Sequence, residues 1–313
     1  MKLKLVSTTL INSKNPQSPY LFLKPNLWGN IKAQEEVISF LRNYGITVNN
    51  RIEIPGGTQF TEIIDEHYRN NSQSSVLSPN QLELDNDEKI KISSNFNLGW
   101  DSQIASGNIY NGFELIKKFR ISPVDLNELW MKAQTIKVKS GLYLAKLELN
   151  GKTLFVTNGF YPAIQTKYTN INSGIIALNI KLPKNMSWND FRELIGSTDP
   201  NKAKIGTLRK HLLDVASNLN ITVTVLDNAV HASASPFEAL REVSLWGKFL
   251  NKNYKSEPLY KALIENGINE QIIRVWFDNP LILYEDKQIR IFDILENLDF
   301  QETIDYLKKL LNI

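Results

Sequence analysis

The sequence contains no cysteine. Disulfides and thiolate metal sites are therefore excluded, and a reducing compartment fits without being required. Histidine is nearly as scarce: His67, His211 and His231 are the only three, and they show neither zincin nor EF-hand spacing. No metal site built from protein ligands is expected. Long apolar runs are missing too, none approaching the ~18 residues of a membrane span. The opening MKLKLVSTTLINSKNPQSPY is interrupted by Thr8, Thr9 and Asn12, so it lacks the continuous apolar stretch of a signal peptide. A cytoplasmic protein independent of membranes is expected. Nor is there a surplus of charge of one sign: 36 Lys+Arg against 33 Asp+Glu leave +3, with the basic residues scattered. That mild balance suits a binder of phosphorylated small molecules and lacks the footprint of nucleic-acid binding.

What is present is 42% hydrophobic and 22% charged residues over 313 positions, an ordinary globular balance with room for two or three units. YLFLKP (20–25) reads as a buried strand ended by proline, AQEEVISFLRNYG (33–45) as an amphipathic helix stopped by Gly45, RIEIP (51–55) as a strand and TQFTEIIDEHYRN (58–70) as a helix. The polar stretch 71–98 is expected to open as a loop. Ser122-Pro123 opens a helix, and Asn150-Gly151 joins two strand-like runs over 142–157 into a hairpin. GIIALNIKL (174–182) reads as a strand and SWNDFRELIG (187–196) as a helix capped by Ser187. TLRKHLLDVASNL (207–219) reads as one helix and ITVTVLDN (221–228) as a strand. Residues 247–313 offer a helix, a hairpin over 272–292 and a final helix, with no catalytic motif.

The densest chemistry surrounds His231. Ser235, Pro236 and Glu238 supply a helix cap, a first-turn proline and a capping-box glutamate, so a helix begins four residues after the histidine. The unbonded N–H groups and positive dipole end of that helix suit anions, phosphate above all. Glu242, about two turns in, can reach back to the imidazole, fix its tautomer and make the other ring nitrogen a better nucleophile. On local features alone, a strand-end histidine making an ordinary hydrogen bond is the better account of His231.

DNAVHASASPFEALREVSLW resembles the active-site segment of the nucleoside diphosphate kinases: Asn228, His231, Ser233 and Glu242 stand at that family's spacing. RELIGSTDPNKAKIGTLR is similar to its Arg-x-x-x-Gly-x-Thr-x-Pro … Gly-Thr-x-Arg stretch and supplies Arg192, Thr198 and Arg209. LFLKPN resembles its first strand with a phosphate-binding lysine, Lys24. DEHY resembles the block carrying its tyrosine, Tyr68, and GFYPAI its base-stacking patch, Phe160, Tyr161 and Ile164. The resemblance covers roughly 19–70 and 158–246 and keeps the family's block order. It implies His231 as a transiently phosphorylated nucleophile and Glu242 as its orienter. It implies Lys24, Tyr68, Arg192, Thr198, Arg209, Asn228 and Ser233 as phosphate or sugar ligands, Phe160 and Ile164 as base contacts, and Mg²⁺ carried on the nucleotide phosphates.

The chain also departs from that pattern. The usual His-Gly-Ser-Asp-Ser is His231-Ala232-Ser233-Ala234-Ser235, a proline is replaced by Ile205, and Lys24-Pro25 is followed by Asn26 where an aspartate is usual. About ninety residues separate Tyr68 from Phe160 where the family needs only a few. The expected architecture is α+β: a ferredoxin-like sandwich, an antiparallel sheet with helices, formed by 1–70 and 158–246. It is interrupted by an insertion at 71–157 and followed by a small α+β appendage at 247–313. The expected activity is transfer of the γ-phosphate of a nucleoside triphosphate to a nucleoside diphosphate through phosphohistidine. Two alternatives stay open: the same chemistry on a specialised nucleotide, metabolite or protein acceptor, and a non-catalytic nucleotide-binding module. Assembly as a homo-oligomer is also left open.

Overall fold

A computed structural model describes residues 13–284 and 287–312; the segment 1–12, on which the expected absence of a signal peptide largely rests, lies outside them. The chain divides into two compact units, one of Met1–Ile54 with Ile175–Ile313 and one of Pro55–Gly174. The expected insertion at 71–157 lies inside the second.

The first unit is built on four strands: β1 (Leu21–Leu23), β2 (Thr47–Pro55), β3 (Gly174–Lys181) and β4 (Val230–Ala232), in the order β2-β3-β1-β4. β1 is antiparallel to both β3 and β4, which gives the strand order of a ferredoxin-like sheet. Side chains alternate across it. Leu21 and Leu23 share a face with Ile176, Leu178, Val230 and Ala232, while Phe22 lies opposite Ala177 and His231 on the other. The first face carries the core. Against it pack Val37 and Leu41 of α1 (Ile31–Asn43), Phe191 and Ile195 of α2 (Trp188–Ile195), and Leu208 and Leu212 of α3 (Leu208–Asp214). Each such side chain contributes roughly 1.5–3 kcal/mol by leaving water.

Local signals start these helices. Asn30 accepts a bond from the Ala33 N–H, and Ser187 and Asp190 exchange two 3.0 Å bonds as a capping box. The helix expected at 207–219 breaks at Val215, with Ala216–Leu219 as a separate turn. No strand forms at 221–228. Ile221 and Val223 pack on the core, but the backbone is held by the Asn26 amide, which donates to the Thr222 and Asp227 carbonyls. The alternation there reflects burial without a ladder, and the strand starts only beyond Ala229, whose φ is 68°.

The longest helix of this unit, α4 (Pro236–Leu250), is capped by Ser235, which accepts from the Glu238 N–H at 3.1 Å. Its Trp246 stacks on Tyr20 at 6.3 Å and meets Phe22 at 6.0 Å, on the His231 face of the sheet. Phe237 and Leu240 enter a second core with Leu259, Leu263, Ile273 and Leu307 of the C-terminal region. The first half of the hairpin expected there is instead the helix Glu270–Phe277, capped by Asn269; the hairpin is confined to Leu281–Tyr284 and Lys287–Arg290. Ile273 and Trp276, three apart, are buried while Val275 is exposed, a helical period that a short apolar run conceals.

The second unit has a four-stranded sheet in the order Ile109–Asn111, Lys152–Thr157, Leu142–Leu149, Gln134–Lys139. Its hairpin turns at Asn150 and Gly151 with φ of 53° and 75°, the backbone an Asn-Gly turn favours. Both faces are covered: Leu144 and Phe155 pack with Ile92 and Trp100, Ala145 and Val156 with Leu115 and Trp130. The polar stretch opens as helices rather than a loop, Arg69–Val76 and Asn86–Phe96. The first buries Ser72, Ser74 and Ser75, and the second is started by an Asp85–Glu88 capping box.

Candidate active site

His231 sits at the centre of β4, the edge strand. Lys24 donates its backbone N–H to the Ala229 carbonyl and Ser233 donates its own to Tyr20. The odd-numbered residues thus face β1, and the carbonyls of Val230 and Ala232 turn outward, where a sheet edge leaves acceptors unpaired. Two arginines take them. Arg209, from the first turn of α3, donates to Val230 at 3.0 Å and to Gly196 at 2.7 Å; Arg192, from the last turn of α2, donates to Ala232 at 3.0 Å. The guanidiniums therefore flank the histidine through the residues on either side of it.

The imidazole stacks on Phe22 with centroids 4.7 Å apart. Its Nε2 lies 2.5 Å from Oε1 of Glu242, which is only 2% exposed on α4. The other carboxylate oxygen accepts from the Ser233 hydroxyl at 2.5 Å, and the Ser233 Oγ also accepts from the Tyr20 N–H at 2.8 Å. Glu242 is thus locked between the ring and a serine that is itself tied to β1. A proton on Nε2 directed at an ionised Glu242 places the ring's lone pair on Nδ1.

The charges reinforce this. Burial, then the positive charges of Lys24, Arg192 and Arg209, hold the imidazole well below its usual pKa, so it is neutral rather than cationic and keeps an unprotonated ring nitrogen. Burial pushes Glu242 up to about 8, against the pull of the Ser233 hydroxyl, Arg241 and Arg192. One turn earlier, Glu238 is pushed up to about 7, by burial and by the charge of Glu242. Its carboxylate accepts from the Ala234 N–H rather than closing a capping box on Ser235. Asn228 donates to the Thr198 carbonyl at 2.9 Å, drawing that exposed loop in, while its buried Oδ1 has no hydrogen-bond partner among the described residues. The Arg192 Nε is in the same condition.

Of the residues singled out in the sequence, the structure brings Lys24, Arg192, Arg209, Asn228, His231, Ser233 and Glu242 together around β4, with Thr198 joined through its carbonyl. Tyr68, Phe160 and Ile164 belong to the second unit. There the Tyr68 hydroxyl meets that of Tyr168 at 2.9 Å, and the Phe160 ring lies edge-on to Trp130 and Tyr143 at 5.3 and 5.8 Å. Sequence reasoning missed Phe22 as the ring's platform, read Glu238 only as a cap, and saw no signal for Glu296, which lies 3.5 Å from Arg192.

Three cations beside a partly buried, neutral imidazole with a carboxylate on its far nitrogen are an arrangement chemically able to hold a multiply charged anion. The donors are cationic, and the nearest carboxylate is committed to His231 and Ser233. A divalent metal carried on the anion's own oxygens is compatible with these donors.

Residues 155–252 match the sequence profile of the family described as nucleoside diphosphate kinase. The nucleoside diphosphate kinase of Hydrogenovibrio crunogenus is 32% identical over 120 residues, covering 33% of this chain and 78% of that protein. That of a Mycobacterium species is 33% identical over 116 residues, covering 34% and 77%. A solved NDP kinase from Pyrobaculum aerophilum aligns over 73% of this chain and 93% of its own at 17% identity, with a TM-score of 0.35. The chain belongs to the nucleoside diphosphate kinase family. Among the described residues no helix is long and apolar enough to cross a membrane.

Proposed function

We propose that the protein moves the γ-phosphate of a nucleoside triphosphate to a nucleoside diphosphate through phospho-His231. The observation that carries this reading is the His231–Glu242–Ser233 chain, 2.5 Å at each link, set among Lys24, Arg192 and Arg209. In the first half-reaction the Nδ1 lone pair forms a bond to the γ-phosphorus as the bond to the β,γ-bridging oxygen breaks. The nucleoside diphosphate leaves with that electron pair. The ring gains positive charge, which Glu242 stabilises through Nε2–H. The second half-reaction is the reverse, onto another diphosphate.

Phosphoryl transfer is mostly positioning and neutralisation of charge on non-bridging oxygens. Lys24 supplies a point charge and Arg192 and Arg209 directed donors. The Asn228 Oδ1, buried and without a hydrogen-bond partner among the described residues, would accept from a sugar hydroxyl in this reading. Mg²⁺ would ride on the phosphates that these residues hold and share their charge. Thr198 is a further hydroxyl donor in this reading.

Incubation with Mg²⁺ and γ-labelled ATP tests the reading. Acid-labile, base-stable label should appear, vanish in His231→Ala, and discharge onto a nucleoside diphosphate with ping-pong kinetics. Label that resists every diphosphate would point to a different acceptor, and bound ATP without label would leave only a binding module.

A further inference from the structure

The C-terminal region reaches the rim of the site. After the short helix Ile291–Leu295 the chain turns at Glu296 and Asn297, the latter with φ of 65°. This turn is held from two sides. The Asn297 N–H donates to the Ala234 carbonyl at 2.9 Å, three residues beyond His231. Asp299 accepts from the Trp188 N–H at 2.7 Å, at the start of α2, and from Asn15 at 2.8 Å. Glu296 is therefore presented by a backbone anchored both to the histidine segment and to the helix that carries Arg192. Its Oε1 lies 3.5 Å from the Arg192 Nη2, the side chains being 47% and 24% exposed.

We propose that Glu296 sets the affinity of the site for phosphate: its carboxylate competes with an incoming nucleotide phosphate for the Arg192 guanidinium. This rests on Arg192 being a phosphate ligand. The anchors make the competition intramolecular and persistent. A carboxylate on an untethered tail would be diluted by its own freedom, whereas this one stays beside the guanidinium whatever the solution holds. Phosphate prevails because it brings more charge and several oxygens, whereas Glu296 offers one oxygen at a long distance. The result is a site held below the affinity its cations would otherwise provide, which favours exchange of one nucleotide for the next.

The test is calorimetric titration of ADP and ATP into the wild type, Glu296→Gln, Arg192→Met and the double variant, with γ-labelling in the same preparations. A half-exposed ion pair of this kind is worth about a two- to fivefold change in affinity. Glu296→Gln should tighten both nucleotides by that factor at low salt. The gain should shrink at about 0.5 M KCl, where screening is nearly complete, and be absent when Arg192 is already methionine. Unchanged affinity in Glu296→Gln, or a gain that survives high salt or the Arg192→Met background, overturns the proposal. If His231 labels normally while Glu296→Gln binds like the wild type, this inference alone fails. If no variant binds nucleotide or takes label, it fails together with the function it rests on.

Discussion

Replacing Glu238 with glutamine should make the protein more stable above neutral pH. In the folded chain its carboxyl is pushed from 4.5 up to about 7, by burial and by the charge of Glu242 one turn away. A carboxyl that holds its proton more tightly when folded stabilises the fold fully below its unfolded pKa. That contribution is lost as pH rises through the folded value. The interval from 4.5 to about 7 corresponds to about 3 kcal/mol at 1.36 kcal/mol per pH unit. Glu238 keeps some contact with solvent, so about 1–3 kcal/mol is the expected range after screening. Glutamine retains an oxygen for the Ala234 N–H and has no charge to bury. Urea unfolding followed by tryptophan fluorescence at about pH 5, 7 and 9 should show the two proteins nearly equal at the lowest pH. They should diverge as pH rises, with unchanged m-values. Parallel pH profiles, or a variant less stable than wild type at the highest pH, would refute the assignment of Glu238 as a carboxylate carried at a cost.

Two further outcomes are expected. Single-turnover labelling by γ-labelled ATP should accelerate as pH rises through about 8, because ionised Glu242 directs the Nε2 proton and leaves the lone pair on Nδ1. Glu242→Gln should flatten that profile and slow labelling about a hundredfold with ATP binding nearly intact, and a variant that labels at wild-type rate would remove Glu242 from the chemistry. In the second unit, Gly151→Ala places a side chain at φ 75° in the Asn150-Gly151 turn and should cost about 1 kcal/mol, read as a lower thermal midpoint; no change would mean that the turn tolerates another backbone.

Much of the site is legible in the sequence because it is local or spaced by a regular element. Ser235 and Pro236 mark where α4 begins, and the position of Glu242 on that helix follows from counting. The Ser187–Asp190 and Ser122–Asp125 caps and the Asn150-Gly151 turn are decided within four residues, and each forms where the residues say it should. The order of the family blocks places Lys24, Arg192, Arg209, Asn228 and His231 in one chemistry without stating any distance.

What the chain order could not contain is the choice among distant partners. ITVTVLDN reads as strand, but it is the following VHA that meets β1; the first is held by Asn26, about 200 positions earlier. IIRVWF became helix because Ile273 and Trp276 face a core shared with Phe237, which no window around residue 275 reveals. The arginines take carbonyls on either side of His231 only because β4 is an edge strand, a property of the sheet and not of the segment. Glu296 meets Arg192 across 104 positions through a turn whose own sequence carries no signal. Caps, turns and helical spacing are short-range and were settled by sequence alone. Ladders, edges and ion pairs depend on which distant groups remain unsatisfied once the core has closed, and only the tertiary structure decides that.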